Sequence, residues 1–199
     1  MSHENHARHG NPADLSSYIE RLEAPDRATW QLPDQVVAAL ALRPGQVVAD
    51  LGAGPGYFTL RLAHQVGRRG RVFAVDVEPA ILAVLRDRIS AQGAGGITPV
   101  LGLPDDPLLP PASCDRVLSV NAYHHYPDRP AALRRMAKLL RRGGRLAVID
   151  FHKRETPMGP PVSERVARED FLEDSARAGL RVAKELSFLP HQYFFLLRS

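Results

Sequence analysis

The stretch Val47–Ala63, VVADLGAGPGYFTLRLA, decides how the rest of the chain is read. A short, apolar, β-branched run reaches Asp50. Glycine then recurs at positions 52, 54 and 56, and the apolar spacing turns helical through YFTLRLAHQV. Strand, bare turn and helix in that order make the opening unit of a parallel sheet. Glycines at such a turn admit positive φ and let a ligand lie against the backbone.

Reading outward from that unit, the alternation continues. RVFAVD, ITPVLG, DRVLSVNA and GRLAVIDF read as strands, while PAILAVLRDRISAQ, RPAALRRMAKLL and AREDFLEDSARAG read as helices. Continuously apolar strands separated by helices require a parallel sheet covered on both faces, hence a doubly wound, Rossmann-like α/β domain. The end of the chain breaks the rhythm. LRVAKELSFL and QYFFLLRS are separated only by Pro190 and His191, too short a gap for a parallel crossover, so the last strand is expected to run antiparallel. The loop at 152–165, rich in proline, is read as a candidate lid.

Upstream, DLSSYIERLE and PDQVVAALAL suggest a helical cap over residues 14–45, with the main domain at 46–199. Residues 1–13 carry His3, His6 and His9, with Gly10 and Pro12 arguing for a disordered arm; a metal-binding tail is the sharper reading of the same residues. The sequence assigns no metal site.

With 199 residues, 44% of them apolar, the chain suits one globular domain. Its 26 basic and 22 acidic residues leave a net charge of +4, and the arginines fall in separated clusters without interleaved aromatics or zinc spacing. That pattern points to solvated faces and away from nucleic acid. One cysteine, Cys114, excludes an internal disulfide, and no apolar run approaches the ~20 residues of a membrane span. The expected location is cytoplasmic, with no membrane partner; monomer and homodimer both stay open.

In an open α/β sheet, ligands bind beyond the carboxyl ends of the strands, and the first strand-to-helix turn is the usual place. Asp76 ends the second strand, where a carboxylate can accept from both hydroxyls of a ribose. A dinucleotide and S-adenosylmethionine (SAM) share that ribose. A pyrophosphate wants uncharged N–H donors, whereas Asp50 places an acid beside this turn and Pro55 removes a donor from it. A cationic sulfonium and an amine suit an acid, so the electrostatics favour SAM.

Taken together, VVADLGAGPGYFTLRLA, VFAVDVEP, CDRVLSVNAYHHY and LRRGGRLAVIDF resemble the motif series of the class I SAM-dependent methyltransferases. The resemblance implies a seven-stranded sheet with an antiparallel last strand, and the product S-adenosylhomocysteine. It places Asp50, Gly52, Ala53, Gly54 and Gly56 around the methionine part of SAM, Asp76 on the ribose, Val77 against the adenine, and Asn121 facing the transferable methyl. The family's Gly-Asp after the third strand is replaced by Gly102-Leu103-Pro104-Asp105-Asp106, where Asp105 or Asp106 stands in for the adenine contact.

On the acceptor side, Tyr123, His124 and His125 are the catalytic candidates, with either histidine as general base because imidazole titrates near neutral pH. Tyr18, Trp30, His152, His191 and Tyr193 are read as possible borders of the same mouth. The leading expectation is methyl transfer from SAM to a small-molecule acceptor, with the acceptor atom (O, N, S or C) left open. A nicotinamide-dependent oxidoreductase and a non-catalytic nucleoside- or metal-binding protein are the competing readings.

Overall fold

The structure, a computed structural model, describes residues 14–199. The expectations about the His-rich arm lie outside the described residues. Seven strands form one sheet: β1 (Val47–Leu51), β2 (Arg71–Asp76), β3 (Ile97–Leu101), β4 (Cys114–Val120), β5 (Leu140–Phe151), β6 (Arg181–Leu186) and β7 (Gln192–Arg198), in the order β3-β2-β1-β4-β5-β7-β6. The first five pair in parallel. β7 enters between β5 and β6, antiparallel to both; the short connection from β6 requires the antiparallel pairing with β6.

Three short helices precede the sheet: α1 (Leu15–Leu22), α2 (Arg27–Gln31) and α3 (Pro33–Ala39). Then come α4 (Thr59–Val66), α5 (Pro79–Ala91), α6 (Arg129–Lys138) and α7 (Arg168–Arg177). Proline stands in the first turn of α3, α5 and α6, where its missing N–H would be unpaired in any case. α2 is too short to show a helical period, and the sequence does not reveal it as a separate element. Leu32, at φ 44°, both ends it and begins α3.

Side-chain alternation feeds two cores. Along β7, Tyr193, Phe195 and Leu197 join the layer under α6 and α7, while Phe194 turns to the layer under α3 and α4. Pro99 is tolerated inside β3 because β3 is an edge strand, paired only with β2. Among the described residues, no helix is long and apolar enough to cross a membrane.

The loop at 152–165 is stapled down rather than free to swing. Arg165, only 4% exposed, donates to the carbonyls of Pro160, Arg154, His152 and Met158 and to Thr156 Oγ1. The loop contributes no wall to the cleft at the carboxyl ends of β1, β2 and β4, which Tyr18 and Leu22 of α1 line instead.

Candidate functional site

A cleft of about 1110 Å³, counted out to its mouth, lies at the carboxyl ends of β1, β2 and β4. The strand order reverses between β1 and β4, so the cleft sits where doubly wound sheets open. The turn after β1 forms its floor. Gly52, at φ 76°, must be glycine, because a Cβ there would come within 2.7 Å of Ala122 Cβ on the turn after β4. The amides of Gly52 and Ala53 both donate to Val75 O, pinning the turn to β2.

Two carboxyl groups share this floor. Asp76 is at the end of β2, its Oδ2 accepting from Gly54 N at 2.8 Å and its Oδ1 from Glu78 N at 3.0 Å. Burial nonetheless pushes its pKa up. Asp50 is only 3% exposed and accepts from Thr59 Oγ1 at 2.6 Å. Its pKa is pushed up to about 6, chiefly by burial and further by Asp76, against the opposing effects of the Thr59 hydrogen bond and the Arg27 charge. Two acids this close make the floor a receptor for positive charge and hostile to phosphate.

Asp50, Gly52, Ala53, Gly54, Asp76, Val77 and Asn121 all line the cleft, as their sequence positions suggested. Gly56 does not. Its Cβ would meet Leu85 Cδ1 at 2.6 Å, so this glycine serves the packing of the turn on α5. Asp105 also turns away, pairing with Arg135 at 3.2 Å on the surface, and Asp106 takes its place in the wall. The Leu103–Asp106 bridge reverses the chain there and sends the two neighbouring acids to opposite sides.

The catalytic candidates separate in the same way. Tyr123 is fully buried, its ring edge-on to Phe171 and its hydroxyl donating to Asp174 Oδ2 at 2.8 Å; it anchors α7 and does not reach the cleft. His124 is tucked behind the wall, with Nδ1 2.9 Å from both carboxylate oxygens of Asp150 at the end of β5. Of the three, His125 lines the cleft, its ring centroid 4.0 Å from that of His124. A single-turn 3-10 helix over Tyr123–His125 produces this divergence, since successive residues in it point about 120° apart. Of the aromatic residues expected at the mouth, Tyr18 lines the cleft; Trp30 packs on Phe151, and Tyr193 lies in the core beneath α7.

Sequence reading missed a buried amide ring that docks the cap. Gln31 Nε2 donates to Gln192 Oε1 at 2.6 Å, Gln192 Nε2 donates to Asn121 Oδ1, and Asn121 Nδ2 donates to Gln31 Oε1 at 3.4 Å. Three elements distant in sequence thereby hold Asn121, at φ 56°, in the cleft wall. Gln31→Leu should orphan two buried groups, at about 1–3 kcal/mol each. Urea denaturation is the check: a midpoint equal to that of the unmodified chain would mean the ring contributes nothing to docking.

Arg27, at the start of α2, was also missed. It is 7% exposed, lines the cleft and stacks its guanidinium 3.9 Å from the Tyr57 ring centroid. Such a residue gives no sequence signal, because an arginine after an aspartate ordinarily reads as a solvated helix start.

A methyltransferase-domain family model matches residues 48–144. The chain is similar to the ubiquinone/menaquinone biosynthesis C-methyltransferase UbiE of Vibrio vulnificus, 33% identical over 123 residues, which cover 61% of this chain and 46% of that relative. The match thus spans less than half the length of this curated relative. Among solved structures, a SAM-dependent methyltransferase from Aquifex aeolicus superposes with a TM-score of 0.86 at 23% identity, covering 94% of this chain and 98% of that one. The [4+2]-cyclase SpnF superposes at 0.70 and 18% identity, covering 86% and 80% of the two chains, a likeness of fold alone. The nicotinamide reading finds no support among these neighbours.

Proposed function

We propose, for a chain that belongs to the class I SAM-dependent methyltransferases, that it transfers a methyl group from SAM to a small-molecule acceptor bound in the same cleft. The observation that carries this reading is the pair of acids, Asp50 and Asp76, on the floor of a glycine turn that contains Pro55. That floor fits a cationic nucleoside: Asp76 would accept from the ribose hydroxyls, Asp50 would face the amine and the sulfonium, and Val77 would pack against the base. When bound, SAM supplies an electrophilic methyl on a positively charged sulfur. The chain's own task is to align the acceptor and exclude water, since in-line displacement gains chiefly from positioning.

Tyr18 and Leu22 of α1 roof the cleft, and Glu23 just beyond them pairs with Arg88 of α5, which ties the roof across the glycine turn. His125 stands at the wall where the acceptor would enter and takes the acceptor's proton. His124, held by Asp150, lies behind it with its ring tilted 48° to that of His125 and limits how that ring can turn. The roof's apolar and aromatic faces suit a flat acceptor, and the UbiE relatives, named for quinone biosynthesis, make an aromatic ring the first class to screen.

Calorimetric titration tests the cofactor. One-to-one binding of S-adenosylhomocysteine with no heat from NADH is expected; binding of NADH alone would retire the proposal. With an acceptor found by mass-spectrometric screening, His125→Ala should lower turnover by about 10²-fold or more. Its affinity for S-adenosylhomocysteine should stay within about twofold, because the contribution of a general base appears in the proton-transfer step. Full activity in that variant would remove His125 from the mechanism.

A further inference from the structure

Two buried arginines in this protein are treated very differently. Arg165 spends its guanidinium on four carbonyls and a hydroxyl. Arg27 is nearly as buried, yet among the described residues it makes one hydrogen bond, from NH1 to Leu22 O at 2.5 Å. Among the described residues its Nε is buried without a partner, and no carboxylate lies within 4.0 Å of it. The Tyr57 hydroxyl, on the ring beneath it, is likewise buried without a partner among the described residues.

A buried cation left uncompensated in this way is unfavourable unless something else completes it. Stacking on Tyr57 fixes the plane of the guanidinium, and a planar fork with free donors matches a carboxylate. Arg27 and Asp50 line the same cleft, and each charge perturbs the other: burial lowers the Arg27 pKa to about 10, with Tyr57 and Asp50 opposing the fall.

We propose that Arg27 is the carboxylate receptor of the cleft, donating to the α-carboxylate of SAM while Asp50, nearby, faces the α-amine. The inference rests on the reading of this cleft as a SAM site. It assigns the amino-acid end of the ligand to an opposite-charge pair contributed by two separate parts of the chain, the strand β1 and the cap helix α2. The cap then helps to recognise the cofactor as well as covering the acceptor.

The test compares SAM with decarboxylated SAM, which keeps the sulfonium and the amine, by calorimetry on the full chain and on Arg27→Gln. The unmodified chain should prefer SAM by at least about tenfold, the value of one hydrogen bond between charged groups. Arg27→Gln should bind the decarboxylated form as the unmodified chain does, within about twofold, and show no preference. A preference that persists in the variant, or none in the unmodified chain, overturns the assignment while leaving SAM as the cofactor. Binding of neither compound to the unmodified chain overturns the SAM reading and this inference with it. Arg27→Lys, which keeps the charge but loses the planar fork, is the second variant should the first not fold; its preference should be reduced, and an unchanged one counts against the receptor.

Discussion

Asp76→Ala is expected to weaken binding of S-adenosylhomocysteine by about 10²–10⁴-fold, the equivalent of two hydrogen bonds to a charged acceptor at roughly 1.5–3 kcal/mol each. The carboxylate already accepts one backbone amide on each oxygen, from Gly54 and Glu78. Those two bonds leave a lone pair on each oxygen and fix the group at the end of β2, so that a ribose diol would meet a pre-oriented receptor. Alanine removes the receptor and also frees the Gly54 amide that holds the glycine turn over the cleft. The two losses separate experimentally. Asp76→Asn keeps an acceptor for one backbone amide but no longer offers charge to both hydroxyls, so it should restore the turn and the unfolding midpoint while recovering little affinity. Affinity in Asp76→Ala within threefold of the unmodified chain would mean that the ribose lies elsewhere.

The sheet was legible in the sequence wherever periodicity and chain length constrain it. The glycine turn, the continuously apolar strands and the short gap at Pro190 suffice for the strand directions, because each follows from local geometry. The cleft floor was legible for the same reason: Asp50, Gly52, Gly54 and Asp76 lie within two adjacent strand ends and the turn they share. What eluded the sequence depends on rotation or on distance. Tyr123, His124 and His125 are consecutive, and only the 3-10 turn decides which of them faces the cleft. Asp105 and Asp106 are likewise adjacent and diverge at a chain reversal. The amide ring joins residues 31, 121 and 192, and Arg27 acquires meaning only from Tyr57 and Asp50; no local pattern encodes either.

Asp50→Asn should move stability and binding in opposite directions, and pH should govern both. The folded pKa of about 6 lies above the unfolded value of about 3.9, so the folded state holds the Asp50 proton more tightly than the unfolded chain does. The stability contributed by that proton is therefore present below about pH 4, declines as pH rises through 4 to 6, and is gone above about 6. A rise of that size in the pKa corresponds to about 3 kcal/mol. An asparagine cannot titrate, so the stability difference between variant and unmodified chain should swing by about 3 kcal/mol toward the variant between pH 4 and pH 7. Urea unfolding across that range measures the swing directly, and a constant offset between the pair would contradict the buried, titrating acid. Binding follows the reverse course. With the charge in place above pH 6, the unmodified chain should hold SAM about 10–100-fold more tightly than the variant, as expected for a charged partner facing the ligand amine. Below pH 6 its affinity should fall toward that of the variant, whose own affinity is insensitive to the protonation of this site. The native chain thus keeps at its cleft a carboxylate that opposes folding at neutral pH, and the cationic ligand is what makes that charge favourable.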